Sequence, residues 1–249
     1  NMSGLYDDIL SNDQTLIQNE NALEFEFLPK DLPHRDNETR FLASCIKPLF
    51  HDRMGKNVLL HGVPGIGKTA ATKFVLREMQ EADENEEIET VYVNCWLNNT
   101  SFKVVTEICE YLGYRFTQNK KTTELFTIVK EIVNKKKAVF VFDEIDKAED
   151  TDFLYYLLEG IYKKTVFLIT NNPDWLIMLD DRVRSRLQPE KAEFKAYSIQ
   201  EVFDILKSRV ELAFYPNVWD DDLIMEVATM VKQDLRKGIF LLKHSALEA

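Results

Sequence analysis

The strongest constraint on this chain is a cluster of glycines. Of eight glycines in 249 residues, three (Gly62, Gly65 and Gly67) fall within six positions. Such a run marks a backbone that turns tightly and comes close to a ligand. The full stretch is Gly62, Val63, Pro64, Gly65, Ile66, Gly67, Lys68, Thr69, Ala70. It follows an apolar strand, Asn57–His61, and opens an amphipathic helix from about Lys68 to Glu81. In that context it satisfies G-x-x-x-x-G-K-[ST], the loop whose main-chain amides wrap phosphates. Lys68 is expected to reach the β and γ oxygens and the Thr69 hydroxyl to hold Mg²⁺. The helix would point its positive end at the anion. The expected ligands are therefore ATP or ADP with Mg²⁺.

The rest of the first two hundred residues alternates strands and helices. Strands are predicted over Asn57–His61, Thr90–Cys95, Ala138–Phe142, Thr165–Thr170 and Ala192–Lys195. Helices are predicted over about Phe102–Leu112, Thr122–Val133 and Thr151–Tyr162. Runs such as AVFVF and TVFLIT are apolar throughout, as in strands buried on both faces of a parallel sheet. The fold class is α/β, with helices on both sides of a five-stranded parallel sheet. After Tyr197 the strands stop. Ser198 with Glu201 forms a capping box that opens a helix to about Phe214. Helices over about Trp219–Val231 and Leu235–Leu247 complete a small all-helical lid domain. The expected domains are 1–197, including an arm and box over 1–40, and 198–249. The chain stops inside the last helical pattern, which reads as an end at a domain boundary.

Further residues join the glycine loop as chemistry. Val139-Phe-Val-Phe-Asp143-Glu144 brings two carboxylates to the carboxyl end of a strand, where ligands bind in open α/β sheets. Asp143 is expected to orient Mg²⁺ and Glu144 to act as general base on the attacking water. Asn171, just past the next apolar strand, is a candidate sensor of the γ-phosphate; the alternative is an Asn-rich turn before Pro173. Arg182, Arg184 and Arg186 lie within five residues. Arg186, or failing it Arg182, is a candidate arginine finger acting on nucleotide bound by a neighbouring subunit. Arg236 opens the last helix and is a candidate to couple the lid to the γ-phosphate.

Composition narrows the classes further. Hydrophobic residues make up 45% and charged residues 29%, and the net charge is −11. No apolar run approaches the roughly 18–20 residues of a membrane span, so no membrane partner is expected. With a polar, acidic N-terminus no secretory signal is expected, and Cys45, Cys95 and Cys109 have no metal-type spacing. A cytoplasmic, nucleoid-associated protein is expected. A nucleic-acid binder is usually basic, so any DNA contact would come from a local patch. The Lys120, Lys121 and Lys135–Lys137 region is more readily a solvated face.

The order of these motifs resembles the archaeal origin-recognition/cell-division-control initiators, a replication branch of the AAA+ ATPases. The likeness runs from about Leu5 to Ala249. Phe27-Leu-Pro-Lys-Asp-Leu-Pro33-His34-Arg35 resembles the family's adenine-framing box, which implies that Pro33, His34 and Arg35 line the base. Val91-Tyr-Val-Asn94-Cys with Asn98-Asn-Thr100-Ser-Phe102 is similar to a segment that in initiators carries extra helical structure facing DNA. Ile169–Trp175, Leu179–Leu187, Val210–Phe214 and Asp234–Leu242 also carry the likeness. It implies a three-layer AAA+ core with a helical lid, ATP held between them, and slow hydrolysis used as a switch. It further implies as partners double-stranded origin DNA, self or paralogous AAA+ subunits, and the replicative helicase. Family members continue into a winged-helix domain absent here, so weak DNA binding is expected of this chain. Gln233, Gly238 and Phe102 depart from the usual pattern. The competing reading is a divergent AAA+ nucleotide switch acting on partner proteins without specific duplex binding.

Overall fold

The structure, a computed structural model, describes residues 15–248. The first fourteen residues of the expected N-terminal arm, and Ala249, lie outside them. The described chain forms two compact units, one of residues 35–196 and one of 15–34 together with 197–248. The arm and box were expected with the core; residues 15–34 instead pack with the helices that follow position 197.

The larger unit is built on strands β1 Val58–His61, β2 Ile88–Asn94, β3 Lys137–Asp143, β4 Lys164–Thr170 and β5 Glu190–Glu193. They pair in the order β2-β3-β4-β1-β5, all parallel. Helices α1 Asp36–Ile46, α2 Lys68–Ala82, α3 Ser101–Tyr111, α4 Thr122–Val133, α5 Asp152–Gly160, α6 Trp175–Met178 and α7 Asp181–Leu187 connect them. Strands β3 and β4 are buried along their whole length. Their alternate side chains serve two layers, as a strand's period of two requires. Leu59, Phe140, Phe142, Val166 and Leu168 join Val104, Ile108, Leu125, Val129, Phe153 and Leu157 in one core. Helices α1 and α2 pack on each other.

Two strands begin one residue earlier than their apolar runs, each on a buried lysine. The Lys137 ammonium pairs with Asp52 at 2.9 Å and Glu87 at 3.2 Å. Lys164 donates to the Ile161 carbonyl at 2.5 Å and the Leu158 carbonyl at 3.3 Å. It thereby satisfies carbonyls at the end of α5 that the helix leaves unpaired. Strand β5 also starts earlier than its predicted range. As the edge strand beside β1 it keeps Glu190 and Lys191 exposed, so its first half carries no apolar signal.

The smaller unit contains helices α8 Ile199–Ala213, α9 Asp221–Val231 and α10 Leu235–Leu247. The expected capping box is present: Glu201 N donates to Ser198 Oγ at 3.1 Å, and Ser198 N to the Glu201 carboxylate at 3.0 Å. Asp220 and Asp234 cap α9 and α10. The segment over 15–27 is held by buried Arg209 of α8. Its guanidinium donates to the carbonyls of Ala22 at 2.9 Å, Glu24 at 3.1 Å and Phe27 at 3.0 Å. Among the described residues no helix is long and apolar enough to cross a membrane.

Candidate functional site

The parallel topology brings the carboxyl ends of β1, β3 and β4 to one edge of the sheet. Strand β1 delivers the chain into the glycine loop, and the three glycines adopt φ of 154°, 76° and 88° at Gly62, Gly65 and Gly67. Positive φ favours glycine at the last two. At Gly62 the reason is space: a Cβ there would stand 2.5 Å from the Phe194 carbonyl and 2.7 Å from Ile66 Cδ1. No side chain caps α2, whose N-cap is Gly67. Its first amides therefore remain free of side-chain acceptors, the condition for receiving an anion.

Lys68, Thr69 and Asp143 converge there. The Lys68 ammonium is buried and donates to the carbonyls of Gly62 and Val63, each at 2.7 Å. Burial pushes its pKa down to about 8, against the pull of Asp143 and with a further push from Arg35. The Thr69 hydroxyl donates to Asp143 Oδ2 at 2.6 Å. A hydroxyl and a carboxylate side by side are the hard oxygen donors that suit Mg²⁺, which keeps several of its waters. Cys95, buried nearby, has its thiol pushed up to about 12 by burial and then by Asp143, which disfavours the reactive thiolate. All three cysteines are free and buried.

Glu144 leaves the strand in the left-handed region, at φ 53° and ψ 44°, and its N–H donates to Asp143 Oδ1 at 2.9 Å. The left-handed conformation at a residue other than glycine, asparagine or aspartate costs about 1–3 kcal/mol, and such strain gathers at functional sites. Asn171 directly follows β4, which ends at Thr170 opposite His61 of β1. Thr170 donates to Asp146 Oδ1 at 2.9 Å and accepts from Asn172 N at 3.0 Å, which fixes the turn that carries Asn171.

The arginines behave differently from one another. Arg186 is ion-paired with Glu159, donates to the Arg182 carbonyl at 2.9 Å and stands 5.2 Å from the Tyr155 ring centre. Arg182 lies against the same ring. Arg35, expected at the base, is buried. Its guanidinium donates to the Ile66 carbonyl at 2.6 Å and the Lys195 carbonyl at 2.9 Å, over the Phe194 ring. It thus braces the glycine loop from behind. Within the smaller unit His34 contacts Asp204 at 2.8 Å, Pro33 is half-buried, and Arg236 lies 4.4 Å from the Phe25 ring centre.

One contact to the site escaped sequence reading. The Tyr92 hydroxyl donates to Asp143 Oδ2 at 2.5 Å. Burial, then the charge of Asp143, drives its pKa well above the ordinary tyrosine value, so it remains a donor. The period-two pattern of TVYVNC was the available signal, because it sets Thr90, Tyr92 and Asn94 on one face.

Known proteins can be compared with this geometry. A family model described as an AAA domain matches residues 52–169. The ORC1-type DNA replication protein 1 of Sulfurisphaera tokodaii is 34% identical, over 97% of this chain and 65% of its own length. The ORC1-type DNA replication protein 2 of Methanosarcina mazei is 35% identical, over 97% of this chain and 68% of its own. The chain therefore spans about two thirds of the length of these curated relatives. The structure of the Aeropyrum pernix ORC1 protein in complex with DNA superposes with a TM-score of 0.86 at 27% identity. That match covers 95% of this chain and 65% of the other.

Proposed function

The chain belongs to the family of ORC1-type DNA replication proteins, and from that membership we propose that it is an AAA+ ATPase of the replication-initiator type. It binds ATP–Mg²⁺, hydrolyses it slowly, and uses the bound nucleotide as a switch for origin DNA binding and assembly. The observation that carries the reading is the Thr69 hydroxyl donating to Asp143 at 2.6 Å beside the buried Lys68 ammonium. Few arrangements other than a nucleoside triphosphate site put a cation, a hydroxyl and a carboxylate against a turn of main-chain amides.

The residues divide the work. The loop from Gly62 to Ala70 offers N–H groups to the phosphates, and Lys68 neutralises charge on the outer two. Thr69 and Asp143 would hold Mg²⁺, which supplies electrostatic stabilisation of the charge that develops on the transferred phosphoryl group. Glu144 orients a water and takes its proton, and Asn171 aligns that water with the γ-phosphate. Arg186 serves the nucleotide of an adjoining subunit. The roles of Pro33, His34 and Arg236 rest on sequence alone. Self or paralogous subunits, duplex DNA and the replicative helicase are the partners this reading calls for.

Two variants test it. Lys68→Ala should abolish binding of a fluorescent ATP analogue. Glu144→Gln should retain ATP but release no phosphate in a steady-state assay. Equal turnover by Glu144→Gln and the parent chain removes Glu144 from the base role, and undiminished binding by Lys68→Ala removes the site. DNA binding is tested by gel shift with and without ATP, where a nucleotide-dependent shift that weakens steeply with salt is expected.

A further inference from the structure

Strand β2 turns its polar residues toward α2. Gln80 of α2 donates to Thr90 at 2.7 Å, and the Lys73 ammonium stands 4.6 Å from the centre of the Tyr92 ring. On the other face Val91, Val93 and Cys95 enter the core with Val104 and Ile108 of α3. Tyr92 is thus fixed at its ring, and only its hydroxyl reaches Asp143.

Asp143 uses its two oxygens differently. Oδ1 accepts the Glu144 N–H at 2.9 Å. Oδ2 accepts two hydroxyls, from Thr69 at 2.6 Å and from Tyr92 at 2.5 Å. Rotation about the last bond of an aspartate is loosely restrained by itself, so these donors set the plane of the carboxylate. Thr69 belongs to the start of α2, at the end of the glycine loop. Tyr92 comes from the neighbouring strand, paired in register with β3 at Val141. It is the donor whose position does not depend on the loop.

We propose that Tyr92 is a positioning residue for the divalent ion: its hydroxyl locks the Asp143 carboxylate in the rotation that presents it beside Thr69. This rests on the nucleotide-site reading above and adds a residue to it. Tyr92 touches neither nucleotide nor ion, and it acts only through Asp143. Partners of this kind, one shell behind a metal ligand, typically carry ten- to a hundredfold in metal affinity.

The test separates metal from nucleotide. Binding of Mn²⁺ to the chain with ADP is followed by electron paramagnetic resonance for the parent, Tyr92→Phe and Asp143→Asn. Nucleotide affinity in excess chelator and the thermal unfolding midpoint are measured beside it. Tyr92→Phe keeps the ring and its Lys73 contact. It is expected to weaken Mn²⁺ binding by about tenfold while leaving metal-free nucleotide affinity unchanged. Unchanged Mn²⁺ affinity overturns the proposal, and so does an equal loss of metal-free nucleotide affinity, the mark of a merely structural hydrogen bond. If Tyr92→Phe does not fold, ring-fluorinated tyrosine at position 92 keeps the packing and makes the hydroxyl a stronger donor. A shift in Mn²⁺ affinity then supports the proposal and no shift overturns it. Asp143→Asn keeps the two failures apart: if it too leaves Mn²⁺ binding intact, the metal-site reading falls, and Tyr92 with it.

Discussion

Lys68 shows how one buried side chain sets the pH response of the site. Its ammonium is satisfied by two loop carbonyls, yet burial brings its pKa from 10.5 to about 8. An unfolded chain holds that proton up to a higher pH, so the group's contribution to stability rises with pH between about 8 and 10.5. Nucleotide binding runs the other way. An anion beside the ammonium raises its pKa, so binding near pH 8.5 should take up a fraction of a proton. Affinity should be level below pH 8 and fall by up to about tenfold per pH unit above it. Calorimetry in two buffers of different ionisation heat reads the uptake directly, and no uptake would mean that Lys68 does not face the phosphates. That Lys68, Thr69, Asp143 and Glu144 would meet at one edge of the sheet was legible in the sequence, because each is placed by local spacing at a turn beside a strand end. The Arg35 and Tyr92 contacts were not. Each meets its partner across about thirty or fifty positions, and only the assembled sheet brings those ends together.

At the level of elements, the strands and the long helices were readable from period and caps. Helices Thr122–Val133 and Leu235–Leu247 match their predicted limits, because each is amphipathic and flanked by clear stops. Helices α1, α6 and α7 were not among the predicted elements; α6 and α7, of four and seven residues, are too short to show a helical period. The placement of the N-terminal segment was also hidden, since it hangs on Arg209. That guanidinium is buried, its pKa brought down to about 10 by desolvation, and it serves the main-chain carbonyls of Ala22, Glu24 and Phe27. Arg209→Met keeps the length and removes the donors. It should cost about 2–3 kcal/mol, the range for hydrogen bonds to a charged group whose loss strands buried acceptors. It should also release residues 15–27 to limited proteolysis while the 35–196 unit stays protected. Unchanged stability and cleavage would show that the main-chain bonds to Ala213, the Ile17–Phe214 bridge and the Lys243 ion pairs hold the segment without Arg209.

At the scale of the whole molecule, the proposed function makes a prediction for Arg186, that it acts on the nucleotide of an adjoining chain. Its pairing with Glu159 is at the surface, where such pairs contribute little, so the guanidinium is readily reassigned. Turnover per chain should rise with protein concentration, and Arg186→Ala should lower it by on the order of 10³-fold with nucleotide affinity intact. Turnover indifferent both to concentration and to Arg186 would exclude action across a subunit boundary. The strand order carries a consequence for biosynthesis. Among the described residues, the strand leading into the glycine loop, residues 58–61, pairs with segments 164–170 and 190–193 alone. On the ribosome it waits for partners made more than a hundred codons later, about ten seconds at ordinary elongation rates. Until they emerge, the glycine loop has no sheet edge to stand on, and chaperones meet an unpaired hydrophobic ribbon.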